Sequence, residues 1–111
     1  MAALRSDLWV GAFVRRHNDL GRLCVISRRG DPIAGQILIE VDHLDGTGSL
    51  LTPLPSVLRT DEADHQFQLR LSRVPAAEIR ARIAREAEFD PDFWVISIDM
   101  RGLDLGVTVV G

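Results

Sequence analysis

Residues 23–51 constrain the fold more than any other stretch, because apolar runs there alternate with residues that reverse the chain. Leu23-Cys24-Val25-Ile26 comes first, and Arg28-Arg29-Gly30-Asp31-Pro32 breaks it. Gln36-Ile37-Leu38-Ile39-Glu40-Val41 follows, Asp45-Gly46 reverses the chain, and Ser49-Leu50-Leu51-Thr52 returns. Short apolar runs bounded by Gly, Pro and Asp read as strands, and Asp-Gly between two of them reads as a hairpin turn. The expectation is a three-stranded antiparallel meander with a type I′ turn, in which Asp45 and Gly46 both take positive φ. Ile37, Ile39 and Val41 fall on one face of the middle strand; Leu38, Glu40 and Asp42 fall on the other.

The flanking segments supply helices and further strands. From Asp7, Leu8, Trp9, Ala12 and Phe13 recur at helical spacing. Ser6 or Asp7 caps the start, and Gly21 ends the helix in a left-handed turn. A short strand at 8–10 feeding a helix is the competing pattern. Residues 52–64 hold Pro53, Pro55 and an acidic run, and read as a solvated loop. Phe67, Leu69 and Leu71 alternate with Gln66, Gln68 and Arg70, the pattern of a strand with one wet face. Pro75 suits the first position of a second helix, whose Ile79, Ile83 and Ala87 recur every four residues. Glu78 with Arg82, and Arg82 with Glu86, are helical ion-pair spacings. Asp90-Pro91 stops that helix, since a residue before proline avoids helical geometry. Trp94-Val95-Ile96-Ser97-Ile98 is the last strong strand, and Leu103, Leu105, Val107 and Val109 alternate as a weaker final one.

Composition excludes several classes. A chain of 111 residues fits one domain and buries roughly two thirds of its unfolded surface without staples. Residues 1–6 and 103–111 are expected to be loosely ordered ends of that single domain. The net charge of −3 gives no long-range pull towards nucleic acid or anionic lipid. Aromatic residues are 5% of the chain, which counts against a stacking platform for single strands. All 13 basic residues are arginine, whose planar donor fork suits carboxylate and phosphate. Cys24 is the single cysteine and forms no internal disulfide, so a reducing compartment fits. No signal peptide or membrane-length apolar run is apparent, and the cytoplasm is the expected location.

Several pieces in order carry a resemblance. They are Ser6-Asp7-Leu8-Trp9-Val10 with Arg15-Arg16, Arg28-Arg29-Gly30-Asp31 with Ala34-Gly35, Leu44-Asp45-Gly46-Thr47, and Phe89-Asp90-Pro91-Asp92-Phe93-Trp94-Val95. Together, from Leu4 to Asp99, the chain resembles the bacterial domain-of-unknown-function family 1491. The tail from Arg101 lies outside that pattern. The resemblance implies one small bacterial domain and brings no activity, cofactor or catalytic residue.

Candidate chemistry is sparse. Glu86, Glu88, Asp90 and Asp92 could offer oxygens to a divalent cation, but they lack a glycine-bearing calcium loop, and Asp-Pro-Asp is an ordinary helix exit. His17, His43 and His65 have no metal-ligand spacing, so no metal and no cofactor is expected. Asp42-His43 with Asp45 suggests a carboxylate-oriented imidazole, set against a simple polar flank to a hairpin. Cys24, between Leu23 and Val25, reads as a small core residue before a nucleophile. The arginines cluster at Arg15-Arg16, Arg28-Arg29, and Arg80, Arg82 and Arg85. If the first helix packs beside the first strand, Arg15, Arg16, Arg28 and Arg29 approach one rim able to grip an anion. Trp9 and Trp94 read as core, the alternative being that one, Trp94 included, anchors a partner.

The expected fold is α+β, an antiparallel sheet of five or six strands with two helices packed on one face. The final strand, or the one at 67–71, is the expected sheet edge. The expected function is a small non-enzymatic binding or adaptor module. It meets a protein partner, which includes a second copy of itself, by a sheet edge or an Arg-bearing face. The alternatives are a nucleic-acid, nucleotide or anion binder using the arginines, and a small enzyme using His43 and nearby carboxylates. No catalytic residue is assigned, and neither nucleic acid nor membrane is the favoured partner.

Overall fold

The computed structural model describes residues 4–59 and 65–110. In chain order its elements are α1 (Ser6–Asp19), β1 (Cys24–Arg28), β2 (Ile37–Asp42) and β3 (Thr47–Pro53). A 3-10 turn (Ser56–Leu58), β4 (Gln66–Pro75), α2 (Ala76–Phe89), β5 (Trp94–Asp99) and β6 (Thr108–Val110) follow. The fold is α+β, with six strands in the order β1-β5-β2-β3-β4-β6. The expected loop over 52–64 falls partly on residues 60–64, outside the described ones.

The sheet is mixed, which corrects the antiparallel expectation. β5 pairs β1 antiparallel and β2 parallel, and β6 pairs β4 parallel. The meander over 23–51 is therefore only half present. β2 and β3 form the hairpin, but β5 lies between β1 and β2. The physical reason is burial. β5 is apolar on both faces, with Trp94, Val95, Ile96 and Ile98 all buried, so it needs a neighbour on each side and cover on each face. β1 buries only Cys24 and takes the edge.

The helices lie on opposite faces, which corrects the one-face expectation. Val10 and Phe13 of α1 pack with Ile37, Ile39, Val41, Trp94, Ile96 and Ile98. Ile79 of α2, flanked by Ile83 and Ala87, packs with Leu38, Leu50, Phe93 and Val95. The period of two along β2 and β5 sorts these residues to the two sides. Each fully buried Leu, Ile or Phe contributes roughly 1.5–3 kcal/mol, so both layers matter.

β4 serves both faces because it is bulged. Leu51 pairs Leu69 while Leu50 pairs Leu71, so Arg70 is the extra residue. Phe67 and Leu69 consequently face α1, and Leu71 faces α2, although alternation alone puts all three together. A second irregularity lies opposite Ser49, where Arg73 takes φ 51.

The helix ends follow local rules with two changes. No side chain caps α1; Ser6 N–H and Asp7 N–H donate to the Ile33 and Pro32 carbonyls, and Ser6 Oγ donates to Gly35 O at 2.6 Å. Its buried stripe is Val10, Phe13 and His17, and Leu8 is 55% exposed. Gly21 at φ 83 closes the other end: Gly21 N–H reaches Asn18 O and Arg22 N–H reaches His17 O, a Schellman arrangement. Pro75 precedes α2 rather than opening it, and the extended Asp90 ends it. Of the two expected α2 ion pairs, Arg82–Glu86 forms at 3.1 Å.

The β2–β3 turn differs from type I′. His43 N–H donates to Thr47 O, closing three loop residues. Leu44 and Gly46 take positive φ, 67 and 88, while Asp45 does not. Asp45 Oδ1 instead accepts Thr47 N–H and Oγ–H, and these bonds hold its carboxyl below the usual carboxylate range.

Candidate functional site

Two strands bound the sheet, and their free edges differ. At the β1 edge the Asn18 side chain acts as a substitute strand. Its Nδ2 donates to Cys24 O, and its Oδ1 accepts Cys24 N–H, both at 3.0 Å. That consumes the peptide groups a new strand needs first. Further along, the ladder slips between Ile26 and Arg28, and a bulge twists an edge out of register. β1 is thus closed in two of the ways by which natural sheets prevent edge pairing.

The β6 edge has neither device. Thr108, Val109 and Val110 are exposed and uncharged, two of them β-branched valines. They pair with Gln66, Phe67 and Gln68 on one side only. In any strand alternate peptides direct N–H and C=O outwards, so this edge offers an unused template.

Beside β6, on the α1 face, lies a cleft of about 310 Å³ lined by Trp9, Ala12, Phe13, Arg16, His65 and residues 106–108. Trp9 stacks on Phe13, with centroids 5.3 Å apart, and leans on His65 and Phe67. Arg16 forms one wall. Its Nη2 donates to Leu105 O at 2.9 Å, and its guanidinium sits 5.9 Å from the Phe13 centroid.

The same segment is tied down through His17. Arg22 Nη1 carries only hydrogens and lies 2.8 Å from His17 Nδ1, so Nδ1 accepts and Nε2 carries the ring proton. Nε2–H then donates to Leu105 O at 3.0 Å. Burial lowers the His17 pKa, the Leu105 hydrogen bond opposes this, and Arg16 and Arg22 add to the lowering. Leu105 is 1% exposed, so the tail expected to be loose is seated at that point. The final strand starts later than the alternation of 103–109 suggests, since residues 103–107 pack under α1 instead.

The arginines do not share a rim. Arg16 meets Leu105 at the Cys24 end of β1. Arg28 lies at the other end, its Nη2 donating to Pro91 O at 2.9 Å and its guanidinium 4.5 Å over Phe93, on the α2 side. Arg29 lies 6.0 Å from the Trp94 ring, and Arg15 is exposed on α1. Trp94 is 3% exposed and its Nε1–H donates to Asp31 O, so it packs the core and fixes the loop after β1.

The remaining candidates are structural. His43 is 1% exposed; its Nδ1–H donates to Met100 O at 2.9 Å, and Nε2 accepts from Ser49 Oγ at 2.8 Å. Ser49 Oγ in turn accepts Arg73 N–H. This Ser–His pair is complete and sealed, and ties β2, β3, β4 and the end of β5 together. Cys24 is buried, which pushes its thiol up to about 11. Asp90 Oδ1 accepts Asp92 N–H at the helix exit, and Glu86 is engaged by Arg82. Among the described residues no group of three or more His, Cys, Asp or Glu is placed to hold a metal ion. Among them, too, no helix is long and apolar enough to cross a membrane.

Solved structures share this architecture. The solution structure of an A. tumefaciens protein is 32% identical with a TM-score of 0.83, over 96% of this chain and 94% of that one. The crystal structure of a DUF1491 family protein from Caulobacter crescentus is 27% identical with a TM-score of 0.79, over 96% and 99%. An NMR structure of a DUF1491 family protein from Caulobacter crescentus matches at 27% identity and TM-score 0.79, over 100% of both chains. No curated protein matches the chain. The family model described as "Protein of unknown function (DUF1491)" matches residues 4–105, stopping short of β6, and the chain belongs to that family.

Proposed function

We propose that this chain is a non-enzymatic binding module of the bacterial cytoplasm that meets another protein by accepting a strand at the β6 edge. The observation that carries this reading is the contrast between the two edges. β1 is closed by Asn18 and a bulge, whereas Thr108, Val109 and Val110 are uncharged and uncovered. Strand addition uses main-chain hydrogen bonds for affinity and neighbouring pockets for specificity, and β6 has the Trp9–Arg16 cleft beside it. Burial of His43, Ser49 and Cys24 supports a binding role over a catalytic one, since sealed groups reach no substrate. The separation of Arg16 from Arg28 by the length of β1 weakens the anion-rim alternative.

Photo-crosslinking in cells tests it. A benzophenone amino acid replaces Val109, or Val25 on the β1 edge as the control. Discrete protein adducts from position 109 and none from 25 are expected. Adducts from 25 alone, equal adducts from both, or none from either would overturn the proposal.

A further inference from the structure

We infer that the strand added at β6 carries a carboxylate side chain that enters the neighbouring cleft and pairs with Arg16. The inference rests on the reading of β6 as the docking edge and names the partner's chemistry. Val109 pairs with Phe67, which packs on the α1 side. Side chains alternate across a strand, so every second residue of an added strand points to that same side, where the cleft opens.

Among its described lining residues the cleft has one permanent cation, Arg16. No Asp or Glu is among the described residues that line it. Among the described residues the ion pairs are Arg5–Asp7 and Arg82–Glu86, and Arg16 has none. Its Nη2 is engaged by the Leu105 and Gly106 carbonyls, which accept hydrogen bonds but do not neutralise charge. Nε and Nη1 keep their hydrogens for a ligand, since neither makes a hydrogen bond among the described residues.

The guanidinium is also held in place. It lies so closely on Gly106, at φ 70, that a Cβ there would come within 2.8 Å of Arg16 Nη2. A cation fixed before binding loses little freedom on pairing, and a guanidinium fork prefers a carboxylate to a neutral acceptor. The Trp9 and Phe13 rings meanwhile suit the methylene stem of a glutamate better than a compact polar group. A flexible acidic segment of a partner protein is therefore the occupant that charge and shape select.

A phage-displayed random nonapeptide library panned on the whole chain tests this. The best peptide is then titrated into labelled protein, reading the amides of Thr108, Val109 and Val110 and the Trp9 indole. Enriched peptides are expected to share Glu or Asp at one position. Changing that acid to its amide should weaken binding about tenfold, as loss of a charge-assisted hydrogen bond does. The difference should vanish in Arg16→Gln and persist in Arg16→Lys, with the amide spectrum of the distant core strands β2 and β5 unchanged in both free variants. Peptides that shift the β6 amides with no acid preference would overturn this inference and leave the edge reading standing. Failure to enrich any peptide that shifts those amides would overturn both.

Discussion

His17 shows how one side chain seats a whole segment. It links α1 to Leu105 through Nε2–H and to Arg22 through Nδ1, both in the neutral ring. Its folded pKa lies below the ordinary imidazole value of 6.5, first because burial disfavours the charged form. The native state therefore binds fewer protons than the unfolded state. The stability involved is fully present above pH 6.5 and is lost as pH falls from there through the folded pKa. Urea midpoints at pH 8 and pH 5 should differ in that direction. His17→Leu should remove much of the difference and cost about 1–3 kcal/mol at pH 8, because Leu105 O and Arg22 lose a partner. A midpoint in His17→Leu that still falls by the full amount would assign the pH dependence elsewhere. Little of this was legible beforehand, since helical spacing places His17 on a face but says nothing of a carbonyl 88 residues away.

At the scale of elements, what was legible is what local physics decides. Gly21 and Asp90-Pro91 end the helices, and the period of two sorts Ile37, Ile39 and Val41 from Leu38. Partner choice is not local. Nothing in residues 23–51 announces that β5 will lie between β1 and β2, and nothing in 66–75 marks the Arg70 bulge. Two glycines separate backbone freedom from close approach. Gly46 sits at φ 88 in open space, so Gly46→Val should cost on the order of 1–3 kcal/mol through strain alone. Gly30 lies against β5, where a Cβ would strike the Asp92 carbonyl oxygen and come within 2.6 Å of the Phe93 carbonyl carbon. Gly30→Ala should lose roughly 1–3 kcal/mol or more through overpacking that backbone atoms relieve poorly. Urea denaturation of both variants checks this, and an unchanged midpoint in either removes its mechanism.

For the whole molecule, helices on both faces follow from a β2 that is apolar on both sides, a signal present in the pattern of Ile37, Leu38 and Ile39. The final strand was legible as one of two candidate edges, and Trp9, read as core or as a partner anchor, packs on Phe13 and Phe67. The cleft was not, because it joins residues 9–16, 65 and 106–108, and neither was the Asn18 bridge that closes β1. The account turns on that inequality of edges, and amide hydrogen exchange of the free protein reads it directly. The Cys24 amide should be protected and become fast in Asn18→Ala, while at least one amide among Thr108, Val109 and Val110 should exchange at close to the unprotected rate. A Cys24 amide that exchanges as fast as the β6 edge, or a β6 protected at all three amides, would contradict it.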